Sequence, residues 1–317
     1  MIAAPFYLSI MVLQGAFRGY QDTRTPFQIM ILANIVNLVL CPLLALVLKM
    51  GVVGAGLATA ASHLTASLGL LVLLFKNNML RVADLWRVRP FQGSLSLART
   101  GAILSVRTFS ILSTVSLATT TAARMGTKEL AAFEITRQIW ALFARMFDAT
   151  SVTAQSLIPL HLGRGKYTTA RAITNRLLSL SFAVGILFAI ILVGAARPLA
   201  QLFSRDPVVV ALVASCFPVM GLCEPVKGNV FVLDGCFTAG RQYVFLSGCI
   251  LFACLGSAAS LFLVRWASLP LPWVWVCLNL MMVLRGLILT QRYVHPKYSP
   301  IPVQDIPASS SDKQPPR

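Results

Sequence analysis

"LQGAFRGYQDTRTPF", Leu13 to Phe27, is the stretch whose reading decides the fold. An apolar run precedes it and a longer one, Phe27–Leu48, follows it, yet it holds Arg18, Asp22 and Arg24 between Gly15, Gly19 and Pro26. A polar turn between two greasy runs is what a chain leaves at a bilayer surface, because a membrane helix needs about 20 apolar residues. Pro26 suits the first turn of the following helix, where its missing N–H is not needed. Gly15 and Gly19 would allow close backbone approach. Arg18, Asp22 and Arg24 are expected to staple this interfacial turn, in a structural or gating role.

The pattern recurs along the chain. After the partial run Met1–Phe17 come eight full apolar runs: Phe27–Leu48, Val52–Phe75, Ala98–Ala122, Leu130–Leu160, Leu177–Ala196, Val208–Phe237, Tyr243–Val264 and Pro272–Arg292. Residues are 57% hydrophobic and 12% charged, against about 25% charged in soluble domains. Mean hydropathy is +0.76. An all-α, multi-pass integral membrane protein follows. Alternate loops carry fourteen basic residues against six in the others, which puts the opening stretch, the 76–97 connector and the C-terminus on the cytoplasmic or stromal side. The Pro- and Ser-rich tail, 293–317, is expected to be disordered.

Basic residues exceed acidic ones by 27 to 10, but they punctuate apolar runs and form no face for nucleic acid. None of the seven cysteines forms CxxC or joins a histidine cluster, so they read as small buried hydrophobes, not as disulfides or metal ligands. The N-terminus has neither a basic region nor a small-residue cleavage site and does not read as a signal peptide.

The opening stretch has an echo 220 residues on, "LDGCFTAGRQYVFLS" from Leu233, where Leu13, Gly15 and Phe17 match Leu233, Gly235 and Phe237. The same offset carries Phe27–Leu48 onto Tyr243–Val264 and Val52–Phe75 onto Pro272–Arg292. Both copies read as span, polar turn, span, short loop, span, in the same orientation. That is the parallel repeat of a two-lobed transporter. Residues 1–75 are then the end of a first lobe and 98–292 a six-helix second lobe. A first lobe of equal size implies a twelve-span protein of which this chain lacks roughly three and a half helices, since two of that lobe's six are complete and one is partial.

"LQGAFRGYQDTRTP" resembles the signature after the fourth helix of multidrug and toxic compound extrusion (MATE) transporters, in the plant and DinF-like branch. "GVVGAGLATAASH" (Gly51–His63), "AARMGTKELAAFEITRQIW" (Ala122–Trp140), "TAQSLIPLHLGRGKYTTAR" (Thr153–Arg171), "LFSRDPVVV" (Leu202–Val210) and "LDGCFTAGRQ" (Leu233–Gln242) keep the family's order. The resemblance implies two pseudo-symmetric six-helix lobes around a cavity that alternates in access, and export of an organic solute by cation antiport. It implies a proton gradient and no other cofactor. The family's proton-linked aspartate lies on a first helix outside this sequence, and Lys227 stands near where the sodium-coupled branch has an acid, which makes sodium the lesser alternative. Plasma membrane, vacuole and plastid all host plant relatives, and a monomer in the bilayer with a small organic solute as partner is expected.

Ionisable residues inside spans are costly and mark cavities or pairs. Nine stand out: Arg107, Glu134, Arg137, Arg145, Asp148, Glu224, Lys227, Asp234 and Arg285. Glu134–Arg137, Arg145–Asp148 and Glu224–Lys227 are three apart and can each meet on one helix face. Glu134, Gln138, Ala141, Arg145, Asp148 and Gln155 fall near one stripe, which suggests an inward polar face. The candidate cavity set is Arg107, Glu134, Arg137, Gln138, Gln155, Glu224, Lys227 and Asp234, with no metal site. Arg145–Asp148 reads as a structural bridge, Glu134–Arg137 equally as bridge or cavity pair. Asp234 either ends its helix and pairs with Arg241 or has a functional role, while Asn279 and Arg285 read as packing contacts. Five cationic against four acidic residues point to an organic anion or phenolic solute. The alternatives are a flippase for a lipid-linked head group, with a larger and more basic cavity, or a transport-incompetent fragment. An enzyme is disfavoured, because no histidine has an acid within five residues downstream.

Overall fold

Backbone amides cannot be left unpaired in hydrocarbon, so long apolar runs close their hydrogen bonds within helices. The computed structural model describes residues 3–77, 79–80, 94–295 and 298–302, and every regular element among them is helical. In order they are α1 Ala4–Gly19, α2 Arg24–Pro42, α3 Gly51–Lys76, α4 Ser94–Met125, α5 Thr127–Gly163, α6 Tyr167–Gly194, the short α7 Ala196–Phe203, α8 Pro207–Ala239, α9 Tyr243–Trp266 and α10 Pro272–Val294. Pro42 supplies no N–H to the ladder, and the chain widens after it into a π turn, Leu43–Val47.

Each expected full span corresponds to one long helix. Seven are long and apolar enough to cross a membrane: α2 with its π turn, α3, α4, α6, α8, α9 and α10. The exception, α5, is the longest at 37 residues, but Glu134, Arg137, Arg145 and Asp148 lower its hydropathy. Side chains left exposed are often large and apolar, including Leu222 at 79%, Leu263 at 63% and Trp266 at 86%. Such a surface suits lipid.

The chain divides into two compact units, Met1–Ser94 and Leu95–Arg317. In the first, α3 packs on α1 and α2 over Phe17, Ala66 and Leu70, all fully buried. His63 meets the Tyr7 ring edge-on, 5.6 Å between centroids. In the second, α8 is central and packs on α5, α6, α7 and α10. Its start obeys the capping rules: Pro207 is its first residue, and Asp206 Oδ1 accepts the Val208 N–H at 2.8 Å. That backbone bond, with Lys128 at 3.2 Å, holds the Asp206 carboxyl below the usual carboxylate range.

Small residues let the neighbours of α8 approach at backbone distance. A Cβ on Gly185 of α6 would lie 2.5 Å from Pro225 Cα, and one on Gly235 would lie 2.5 Å from the Ser151 carbonyl oxygen of α5. Polar side chains tie the bundle further. Trp275 Nε1 donates to Thr136 Oγ1 at 3.0 Å, Ser257 Oγ to the Cys277 carbonyl at 2.8 Å, and Asn279 Nδ2 to the Val219 carbonyl at 2.6 Å. Six cysteines are buried among these apolar contacts, and Cys41 is half-buried.

The repeat is visible in the backbone. After α1, Gln21 N–H donates to Arg18 O and Asp22 N–H to Phe17 O; after α8, Arg241 N–H donates to Thr238 O and Gln242 N–H to Phe237 O. Gln21 (φ 62°) and Arg241 (φ 56°) both occupy the left-handed region. These positions differ by 220, as do the helices that follow them to within a few residues.

Two local expectations need correcting. Among the described residues a Cβ on Gly15 or Gly19 would meet nothing within 4 Å, so neither serves close approach there; the left-handed turn residue is Gln21. The tail does not become irregularly solvated at His295: Ile301 is fully buried in the second unit's core, Pro300 lies against Gly240, and Arg292 Nε donates to the Tyr298 carbonyl at 3.3 Å. Most of the connector (78 and 81–93), residues 296–297 and the tail from 303 lie outside the described residues.

Candidate functional site

Helical spacing builds a polar cavity inside the second unit. Arg107 and Ile111 lie four apart on α4, while Trp140, Ala141, Ala144, Arg145 and Asp148 share one stripe of α5. Phe231 and Asp234 on α8, like Met282 and Arg285 on α10, lie three apart. Together these residues line a cavity of about 390 Å³, within the range of small-molecule pockets. Ala141 and Ala144 leave the space open, and Trp140, Phe231 and Met282 supply apolar wall.

Asp234 is the electrostatic centre, 4% exposed. Its Oδ2 accepts from Arg285 Nη2 and, at 3.3 Å, from Arg107 Nη2. Its Oδ1 and the Arg285 Nε are buried without a hydrogen-bond partner. Arg145 and Asp148 make a loose pair at 3.8 Å, with the Arg145 side chain 82% exposed. Three arginines therefore face two aspartates, an excess of one positive charge.

Behind Trp140 sits a second pair. Lys227 Nζ donates to Glu224 Oε1 at 2.5 Å, both residues being 1% exposed. The ammonium lies 5.3 Å from the Trp140 ring centroid and 5.7 Å from that of Phe147, within cation–π range. Glu224 Oε2 has no hydrogen-bond partner. The pair is closed off from the cavity and braces its Trp140 wall.

The expected site residues thus divide. Arg107 and Asp234 line the cavity, and Glu224 and Lys227 stand behind it. Glu134 and Arg137 form a fork at 2.9 and 2.5 Å outside its lining, Gln138 is exposed, and Gln155 Nε2 donates to Ser151 Oγ at 3.2 Å. The single inward stripe on α5 is therefore corrected: only its middle, Ala141 to Asp148, lines the cavity. Asp234 neither ends its helix, which continues to Ala239, nor pairs with Arg241. Arg285 is a charged partner and not a mere packing contact, and Arg145–Asp148 is present as a bridge, long at 3.8 Å and largely exposed.

At the opening turn, Asp22 Oδ1 accepts the Arg24 and Thr25 N–H groups at 3.0 and 3.1 Å and so caps α2, with Pro26 in that helix's first turn. Bonding to Thr25 holds the Asp22 carboxyl below its usual range. Arg18 Nε donates to the Gln14 carbonyl at 3.3 Å. Asp22 and Arg18 both staple the turn through backbone groups.

Sequence reasoning missed Trp140, read Arg285 as a packing contact, and put Arg145 and Asp148 on the inward stripe while leaving them out of the cavity set. The signal was present for Arg285. Once the three pairs at i,i+3 spacing are set aside, Arg107, Asp234 and Arg285 are the in-span charges left over, and they belong together.

Comparison with known proteins agrees with this architecture. The MatE family model matches residues 101–261. Protein DETOXIFICATION 45, chloroplastic, of Arabidopsis thaliana is 30% identical over 287 residues, covering 90% of this chain and 50% of that protein. A FAD transporter of Shewanella oneidensis is 33% identical over 216 residues, 65% of this chain and 47% of that protein. The chain spans about half the length of the curated relatives it matches. The crystal structure of MATE in the bent conformation superposes with a TM-score of 0.79 at 19% identity, over 89% of this chain and 64% of that one, which establishes the shared fold. A matched family model over half the chain, a shared fold and seven membrane-grade helices among the described residues place this multi-pass integral membrane protein in the MatE family of transporters.

Proposed function

We propose that the protein exports an organic anion or phenolic solute by cation antiport, through alternating access of two lobes. The observation that carries this is the excess positive charge of the cavity at Arg107, Arg145 and Arg285. Uncompensated acids would suit an organic cation; here each aspartate already has an arginine. The relative named as a transporter of FAD, an anionic molecule, supports the same sign. The same excess charge opposes a resident sodium ion, which favours the proton as the coupling ion. A cavity of about 390 Å³ suits a small solute better than a lipid-linked head group.

Reconstituted vesicles with an imposed pH gradient test this. Labelled p-aminohippurate, an anion that crosses bilayers poorly, should move against the proton gradient, and a protonophore should abolish the flux. Tetraethylammonium should move at background rate, and a sodium gradient should not substitute. Transport of tetraethylammonium, or flux indifferent to the pH gradient, would refute the proposal.

A further inference from the structure

Arg107 and Arg285 reach for the same carboxylate oxygen but are held there very differently. Arg285 is 3% exposed and Asp234 4%, so parting them would strand two charges in a low-dielectric interior. The Arg107 side chain is 28% exposed, and its 3.3 Å contact exceeds the roughly 2.7–2.9 Å of a well-formed charged N–H···O bond. Leaving Asp234 therefore costs Arg107 little. Both arginines converge on Oδ2 while Oδ1 and Arg285 Nε have no partner, so neither the acid nor the bases are saturated. Arg145 lines the same cavity, largely exposed.

We infer that Arg107 is an exchanging residue: a solute carboxylate entering the cavity displaces Asp234 from Arg107, while Asp234 stays on Arg285 as the resident counter-ion. The inference rests on the anionic reading of the cavity proposed above. Asp234 is then a built-in competitor of the solute, and the competition has a distinctive sign. Neutralising a carboxylate that binds a cation can only harm function, whereas neutralising this one frees Arg107 and strengthens anion binding.

Equilibrium binding of labelled p-aminohippurate to the full chain in detergent tests it. Arg107→Gln should weaken binding at least about tenfold, the loss expected for one charge-assisted hydrogen bond. Asp234→Asn should strengthen it several-fold, and Arg197→Gln on α7 should leave it unchanged. Should Asp234→Asn not fold, because Arg285 loses its partner, the double variant Asp234→Asn/Arg285→Gln removes both charges and carries the same expectation. Unchanged binding in Arg107→Gln, or weaker binding in the neutralised Asp234 variants, overturns the exchange. If Arg145→Gln lowers affinity and Arg107→Gln does not, the exchange fails while the anionic cavity stands. If the wild-type chain does not bind p-aminohippurate, the anionic cavity falls and the exchange with it.

Discussion

Lys227 and Glu224 show what a charge inside this bundle requires. Each is 1% exposed, and each has the other as its ionic partner. Removing one leaves the other buried and uncompensated, a loss of about 3–5 kcal/mol in comparable pairs, whereas removing both is far milder. Lys227→Met and Glu224→Gln should each lower the unfolding temperature more than the double variant does; thermal unfolding of the three in one detergent would show it. A double variant worse than either single would mean the pair is not an isolated ionic unit. The i,i+3 spacing made this pair legible from the sequence, because helix geometry is local. The Asp234 cluster was harder to read. Its three members lie on α4, α8 and α10, and Arg241 stood closer along the chain than either true partner. Arg241 turned out to be the exposed, left-handed residue of the turn. Burial across helices, unlike spacing along one, is a tertiary property that a single sequence does not print.

The two copies of the opening element share a backbone and differ in packing. Gly15 and Gly235 occupy matching positions, yet a Cβ on Gly15 meets nothing within 4 Å while one on Gly235 falls 2.5 Å from the Ser151 carbonyl. Gly15→Ala should therefore be neutral or stabilise α1 by roughly 0.5–1 kcal/mol, as alanine does in a helix interior. Gly235→Ala should push α5 and α8 apart and lower expression and melting temperature. Equal effects at the two sites would contradict the difference. The sequence match alone could not separate them, because identity of residue says nothing of what lies opposite. The cap at Asp22 adds a pH dependence with a definite sign. Its folded-state carboxyl is held below the ordinary value, so its contribution is present above about pH 4, the unfolded value, and is lost as pH falls through the lower folded one. Hydrogen exchange at Arg24 and Thr25, corrected for intrinsic rate, should rise below that point. Asp22→Ala should abolish the change at a loss of about 1 kcal/mol.

At the scale of the molecule, the run lengths of the sequence carried the architecture, since the bilayer fixes helix length and hydrocarbon forces helicity. The polar α5 is where length and composition parted, and it is the helix that contributes most to the cavity lining. The start of the tail, 298–302, was misread because composition describes an average, while Ile301 is one apolar residue that finds a place in the core. Ile301→Ala should cost about 2 kcal/mol, seen as a lower unfolding midpoint, and an unchanged midpoint would show the contact to be idle. The cavity's surplus of one positive charge also has an electrical consequence. A solute bearing one negative charge neutralises it, so a loaded cavity would change sides without moving net charge. An empty one would carry a positive charge through the membrane field, about 2.3 kcal/mol per 100 mV for a full crossing. A negative interior would then draw the empty cavity toward the side where solute is loaded, making the resting potential a second source of directionality.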